Sequence, residues 1–319
     1  MNASSYKVLL TNPILPSEHA RLAQHAKVVV APDIQPDTLR RLIADADALI
    51  VRTKLPDDIF DHQTRLKGVV RHGVGLDMIP MAAATEHRIP VANIPGSNTA
   101  SVVEYCLNAM FHFARRFTSL TLAHPVKDWA ETRARGDATV ELYGKTLGIV
   151  GVGAIGSALA SVTSALGMKV LGLTRRPEQL PVNVTAADKK TLFQQSDFLV
   201  LSCPLTEQTR GLVDADTLAE MKPDAVLINV SRGPVIDTQA LVTALKEKRL
   251  AGAALDVHDT QPIPEGLYPE RLDGLLLTPH VAGTTQTSME RMSAGSVDEV
   301  LRILRGERFA NLVNPEVLA

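Results

Sequence analysis

Short apolar runs and amphipathic stretches alternate along most of the chain. Residues 7–10, 27–30, 48–51 and 68–70 are continuous runs rich in Val, Leu and Ile and read as buried strands. Residues 18–25, 37–46 and 81–87 space their apolar positions as helices do. Continuous apolar strands separated by helices indicate a parallel sheet covered on both faces. This first unit closes near residues 91–96. A long helical stretch follows from 99 to 123, where Pro125 stops it. Residues 127–140 are polar, hold the single tryptophan, Trp129, and predict an irregular arm or connector.

A second alternation begins at 146. Its strands are expected at 146–150, 169–173, 198–202, 225–230, 252–256 and 275–278. Strands in this number with helices between them suit a doubly wound nucleotide domain. The last helix, 287–305, lies beyond that sheet. The tail 311–315 is too short for a domain and is expected to return to the first unit. The chain therefore reads as α/β, with two doubly wound parallel-sheet domains: 1–98 plus 287–319 for substrate, and 99–286 for a dinucleotide. A length of 319 residues accommodates two cores.

Bulk composition narrows the function without specifying it. Hydrophobic residues make up 45% and charged residues 21%, as in a globular protein. A formal net charge of -2 gives no basic excess for nucleic acid or an anionic membrane surface. Cys106 and Cys203 are far apart and lack metal-ligand spacing. They predict neither a disulfide framework nor a metal site, and fit a reducing compartment. Residues 1–5 show no basic start leading into an apolar run, and no apolar run is long enough to span a membrane. A cytoplasmic location is expected.

The most informative motif is Gly151-Val152-Gly153-Ala154-Ile155-Gly156. A G-x-G-x-x-G alone arises by chance in glycine-rich loops. Here the expected strand 146–150 runs into it and a helical stretch, 157–166, runs out. Gly151 suits the tight turn, Gly153 the close approach of backbone to a pyrophosphate, and Gly156 helix–strand packing. Free amides of Ala154 and Ile155 at the helix start then face the phosphates. An NAD site expects Asp or Glu at the end of the next strand. This chain has Thr174-Arg175-Arg176 there instead. Guanidiniums suit a 2′-phosphate, so NADPH is the expected cofactor, with NAD as the alternative; two solvated loop arginines are the plainer reading of the same residues.

Three further motifs carry a family resemblance. Ser231-Arg232-Gly233-Pro234-Val235-Ile236-Asp237 resembles the arginine signature of the D-2-hydroxyacid dehydrogenases, and Thr278-Pro279-His280-Val281-Ala282-Gly283 resembles their histidine signature. Arg71-His72-Gly73-Val74-Gly75-Leu76-Asp77 is similar to their substrate loop. With the fingerprint, these motifs span most of the chain in the family's order. The resemblance implies two Rossmann-like domains with the active site in the cleft between them. It implies that His280 is the acid–base group and that Arg232 binds the substrate carboxylate and polarises the carbonyl. His280 is chemically apt, because reduction of a 2-oxo acid creates an alkoxide that needs a proton near neutral pH. The backbone of Gly73, Val74 and Gly75 can present N–H groups to the same carboxylate. By resemblance, Asp256 accepts a hydrogen bond from the nicotinamide carboxamide, and Cys203, Pro204, Thr206, Val230, Ser231 and Gly283 line the cofactor groove. Each also has a plainer reading as a turn, cap or packed residue.

One position departs from the family pattern. The family places a glutamate, followed by proline, opposite its histidine; here Gln261 precedes Pro262. Formate dehydrogenases, distant relatives, also pair glutamine with histidine, but the loop 71–77 is of the hydroxyacid type. Asp259 and Glu265 are the alternative acids.

The leading expectation is an NADP-dependent reductase of a small 2-oxo acid of the glyoxylate or hydroxypyruvate class. A second is a dehydrogenase of a phosphorylated or sulfonated hydroxyacid, with Arg52, Lys54, Arg71 and His72 at strand ends as a second anion site. A third, from another class, is a dinucleotide-sensing interaction protein like the corepressors that share this fold. A homodimer is also expected, because Phe111, Phe113, Phe117 and Leu120 on the long helix, with the arm around Trp129, exceed one domain's apolar need.

Overall fold

The computed structural model describes residues 6–121, 124 and 126–318. The helix end expected at Ala123, its stop at Pro125 and the N-terminal reading of residues 1–5 lie outside the described residues. The chain divides into two compact units. Unit 1 runs to Asn98 and resumes at Thr284; unit 2 is Thr99–Gly283.

Unit 1 begins with β1 (Lys7–Leu10), α1 (Pro16–Ala23), β2 (Lys27–Val30), α2 (Pro36–Ile43) and β3 (Ala48–Val51). It continues through β4 (Gly68–Arg71), α3 (Met81–Glu86) and β5 (Val91–Ala92). The five strands are all parallel, in the order β2-β1-β3-β4-β5. Every side chain of β3 is buried, as a two-sided parallel strand requires. Both α1 and α2 start earlier than periodicity suggests. Each opens on a proline, whose missing N–H costs nothing in a first turn.

Unit 2 opens with α4 (Thr99–Arg115). This helix is shorter than expected, because Arg116 takes a left-handed backbone (φ 47°) and a 3-10 turn, Phe117–Leu120, follows. The segment expected to be an irregular arm contains α5 (Trp129–Gly136). Its apolar periodicity is weak. Ion pairs four residues apart, Arg133–Asp137 and Glu131–Arg135, support it instead.

The nucleotide-type alternation then runs β6 (Thr146–Val150), α6 (Ala154–Ala165), β7 (Lys169–Leu173), β8 (Thr185–Ala186), α7 (Lys189–Gln195) and β9 (Phe198–Leu201). It ends with α8 (Ala215–Glu220), β10 (Val226–Asn229), α9 (Thr238–Lys246), β11 (Gly252–Leu255) and β12 (Leu275–Leu277). These strands form one seven-stranded sheet, β12-β11-β10-β9-β6-β7-β8. All pairs are parallel, and the order reverses direction between β6 and β9, the switch point of a doubly wound fold. The seventh strand, β8, is two exposed residues long and left no apolar run to read. Asp188, Asp214 and Asp237 cap α7, α8 and α9 by accepting from first-turn amides.

The last helix, α10 (Gln286–Arg305), belongs to unit 1 and ends on Gly306 in the left-handed region. The tail returns to that sheet: Leu312 bridges Ala92, and the Asn314 side chain accepts from Val91 N–H at 2.8 Å and donates to Ile89 O at 2.9 Å. Among the described residues, no helix is long and apolar enough to cross a membrane.

Candidate active site

The fingerprint loop of unit 2 divides its glycines by role. Gly151 takes φ 88°, and a Cβ there would lie 2.6 Å from Cys203 Cα. A Cβ on Gly156 would lie 2.6 Å from Gly151 O, so α6 packs against the loop only with hydrogen at that position. Gly153 differs: a Cβ there would meet no atom within 4 Å. It is not needed for packing, and the open space in front of it suits a phosphate brought against backbone. The first-turn amides of α6, Ala154 to Gly156, have no intrahelical acceptor and carry the positive end of the helix dipole. These residues fit the pyrophosphate of a dinucleotide.

Beyond β7, Thr174 Oγ1 accepts from Arg176 N–H at 3.2 Å and shapes the turn. Arg175 and Arg176 are exposed, and among the described residues neither guanidinium is bonded to a protein group. On the neighbouring strand ends, Cys203 and Ser231 are buried together, with the Ser231 hydroxyl donating to Cys203 O. Thr206 and Pro204 belong to one turn, tied by Thr209, which donates to Pro204 O at 2.7 Å. Val230 extends β10 by donating to Leu201 O at 3.2 Å.

Arg232 follows β10 on a loop fixed by Asn229, whose Oδ1 accepts from Ser231 N–H at 3.0 Å and whose Nδ2 donates to Arg232 O at 3.0 Å. The Arg232 guanidinium donates to Ser231 O at 2.6 Å. Gly233 has a role the motif alone does not reveal. A Cβ there would lie 2.1 Å from His258 C and 2.2 Å from Asp259 N, so the arginine loop rests directly on the segment that leads to Gln261.

His280 sits on the turn after β12 with φ 58°, a left-handed backbone that costs a non-glycine residue about 1 kcal/mol. Its Nδ1 lies 3.0 Å from Gln261 Oε1, so the ring donates Nδ1–H to the amide oxygen, which in the neutral ring puts the lone pair on Nε2. Gln261 Nε2 donates in turn to His258 O at 3.5 Å. Neither alternative acid takes that place. Asp259 Oδ2 accepts from the Thr238 hydroxyl at 2.9 Å, and Glu265 is exposed.

Asp256, expected to face the nicotinamide, follows β11. It is 1% exposed, and its carboxylate is used by the histidine turn. Oδ1 accepts from Thr278 Oγ1 at 2.7 Å and Val281 N–H at 2.7 Å, while Oδ2 accepts from Ala282 N–H at 2.8 Å. The Tyr105 hydroxyl reaches Thr278 Oγ1 at 2.8 Å. Tyr105 escaped the sequence reading because its partner is remote in sequence. Gly283 continues the same turn.

The glycine loop of unit 1 is braced from within. Arg71 donates to Gly75 O at 3.0 Å, Val51 O at 3.0 Å and His72 O at 2.6 Å. Asn93 Nδ2 donates to Val74 O at 2.8 Å. Gly73 takes φ 135° and spends its own N–H on Arg71 O. The Val74 and Gly75 amides, among the described residues, donate to no protein acceptor. His72 is 3% exposed and lies 3.0 Å from Ser293 Oγ. Burial, then the nearby Arg52 and Arg71 charges, push its pKa down to about 3, so it is neutral and offers no charge to an anion. Arg52 is half-buried, donates to Pro13 O and has its pKa lowered by burial. Lys54 is exposed.

Residues 107–282, more than half of the chain, match the model of the D-isomer specific 2-hydroxyacid dehydrogenase, NAD binding domain. A D-3-phosphoglycerate dehydrogenase from Methanocaldococcus jannaschii is 34% identical over 97% of this chain but only 59% of its own length, so the chain spans little more than half of that relative. A glyoxylate reductase from Thermofilum pendens is 36% identical over 88% of this chain and 85% of its own. The crystal structure of an NADPH-dependent glyoxylate/hydroxypyruvate reductase from Sinorhizobium meliloti, in complex with NADP and malonate, superimposes with a TM-score of 0.84 at 27% identity and 98% coverage of both chains. With a relative this similar across most of both lengths, and its own fingerprint, arginine and histidine loops in order, the chain belongs to the D-isomer-specific 2-hydroxyacid dehydrogenase family.

Proposed function

We propose that this protein transfers a hydride between NADP(H) and a small D-2-hydroxy acid/2-oxo acid pair, acting as a reductase of a glyoxylate- or hydroxypyruvate-type substrate. The observation that carries the reading is the His280–Gln261 pair, at 3.0 Å, which orients a titratable nitrogen at the carboxyl edge of a dinucleotide-type sheet. When bound, the nicotinamide supplies the hydride in reduction and takes it in oxidation. His280 Nε2–H donates its proton to the developing alkoxide, and neutral Nε2 takes it back from the alcohol. Gln261 holds the ring through Nδ1 without adding charge. Arg232 binds the substrate carboxylate, and within unit 1 the Val74 and Gly75 amides are assigned to anion binding. Gly153 and the start of α6 hold the pyrophosphate, and Arg175 and Arg176 the 2′-phosphate.

A phosphorylated hydroxyacid is the second reading, supported by the phosphoglycerate dehydrogenase relative. Three of the four strand-end residues of unit 1 tell against it: Arg52 and Arg71 donate to backbone carbonyls and His72 is neutral, while Lys54 is exposed. An initial-rate panel of 2-oxo acids, with 3-phosphohydroxypyruvate included, followed at the nicotinamide absorbance, tests both. Glyoxylate or hydroxypyruvate is expected to turn over best; preference for the phosphorylated substrate, or no turnover at all, rejects the proposal.

A homodimer is part of the same reading. Phe111, Phe117 and Trp129 are 42%, 76% and 63% exposed, and Phe111 and Phe117 line a groove of about 560 Å³. Phe113, by contrast, packs inside unit 2 against Gly252. A monomer by sedimentation at micromolar concentration overturns this element. A cytoplasmic location accords with two buried, unpaired cysteines.

A further inference from the structure

The turn that carries His280 needs restraint, because a non-glycine residue there holds a left-handed backbone, φ 58°. The restraint comes from Thr278 and Asp256. Both Asp256 oxygens already take backbone donors, Oδ1 from Val281 N–H and Oδ2 from Ala282 N–H, so the buried side chain acts as an acceptor. Thr278 has a single hydroxyl proton and gives it to Asp256 Oδ1 at 2.7 Å. The Tyr105–Thr278 contact at 2.8 Å therefore has one direction: the Tyr105 O–H donates and Thr278 Oγ1 accepts. Thr278 is also held at its carbonyl, by His258 Nε2–H at 3.0 Å, while His258 Nδ1 accepts from the Tyr268 hydroxyl at 3.2 Å. The same Asp256 carboxylate takes the amides of Val281 and Ala282 on the far side of His280. The histidine is thus bracketed by Thr278 on one side and Val281 and Ala282 on the other, all three tied to one buried carboxylate.

We propose that Tyr105 and Thr278 are positioning residues for His280, acting as a directed hydrogen-bond chain, Tyr105 to Thr278 to Asp256, that fixes the turn and so aims the ring. The proposal rests on the reading of His280 as the acid–base group. It assigns a role to a hydroxyl on α4. A chain of this kind acts as a unit, so breaking either link releases the same restraint.

The test uses Tyr105→Phe, which removes one oxygen, Thr278→Val, which removes the hydroxyl at nearly constant shape, Thr278→Ser, which keeps it, and the Tyr105→Phe/Thr278→Val double variant. Measurements are kcat and KM for the preferred 2-oxo acid, NADPH affinity, and the His280 ring signals by NMR, assigned with His280→Gln. Tyr105→Phe and Thr278→Val are each expected to lower kcat about ten- to a hundred-fold, as misaimed catalytic groups do, with NADPH affinity kept. The double variant should be no worse than Thr278→Val, Thr278→Ser should retain most of the rate, and the His280 signals should move in Phe and Val but not in Ser. Unmoved ring signals in Tyr105→Phe and Thr278→Val overturn the proposal, as do fully additive effects. Should Thr278→Val fail to fold, Tyr105→Phe decides alone. If the unmodified protein reduces no 2-oxo acid, the functional reading fails, while the ring signals still decide the positioning.

Discussion

At the end of β4, the Arg71 guanidinium is divided among three backbone carbonyls, and beside it His72 is buried against Ser293. At the end of β7, Arg175 and Arg176 lie exposed, with no bond from either guanidinium to a protein group among the described residues. Both clusters stand at the carboxyl end of a parallel strand, where α/β sites form. In unit 1 Arg71 braces the glycine loop and His72 is packed away. In unit 2 the charges themselves are available. A basic residue type at a strand end is therefore not evidence of anion binding until its partners are counted.

The largest effects should separate the two kinds of residue. Arg232→Ala should lower kcat/KM for the 2-oxo acid by about a hundred- to a thousand-fold, comparable to losing a transition-state donor, with NADPH affinity and thermal stability kept. Arg71→Met should do the opposite in kind. It removes the guanidinium from three carbonyls, of which Val51 O keeps the His72 N–H, and should cost about 2–4 kcal/mol of stability, read as a lower urea midpoint. Loss of catalysis in Arg71→Met at unchanged stability would place Arg71 with the ligand-facing charges and break the comparison.

An acid titration probes the braced side next. The folded-state pKa of His72 is depressed from 6.5 to about 3 by burial and by the neighbouring arginines. Between those values the unfolded chain binds a proton that the folded protein does not. Stability from this residue is therefore present above about pH 6.5 and is lost as pH falls toward 3. The loss amounts to a few kcal/mol at most. Urea midpoints from pH 7 to 4 should fall less steeply in His72→Gln than in the unmodified protein; parallel slopes would show that His72 is not buried neutral.

The smallest effect sharpens the active side. Gln261→Glu places a carboxylate against His280 Nδ1, which stabilises the imidazolium and raises its pKa. Reduction needs His280 protonated and oxidation needs it neutral, so both pH limbs of kcat/KM should move upward. Asp259→Asn should leave them in place, because Asp259 accepts from Thr238. Limbs that ignore Glu and move down with Asn would return the partnership to Asp259.

Much of this was legible in the sequence, for physical reasons that also mark the limit. Both parallel sheets follow from runs such as Ala48–Val51, buried on both faces and therefore uniformly apolar. The fingerprint was readable because glycine roles are local, and Gly151 and Gly156 are indeed closed by packing while Gly153 is open. The pairing of His280 with Gln261 was readable from motif position. The braces were not. Whether Arg71 faces a carbonyl or a ligand depends on Val51, on the adjacent strand, and the neutrality of His72 depends on burial and on Arg52, at the end of another strand. α5 was missed because ion pairs rather than an apolar stripe support it. Nothing near Asp256 in sequence announces Val281 and Ala282 as its donors.

The comparison turns on the uncommitted arginines, and cofactor discrimination measures them directly. Losing one charge-assisted phosphate contact costs about 1.5–3 kcal/mol, or roughly ten- to a hundred-fold in affinity. Steady-state kcat/KM for NADPH and for NADH should be determined at saturating glyoxylate in the unmodified protein and in Arg175→Ala/Arg176→Ala. The account predicts a preference for NADPH that collapses in the double variant, with the NADH value and the melting temperature little changed. Equal use of the two cofactors by the unmodified protein, or a double variant that keeps the preference, would contradict it.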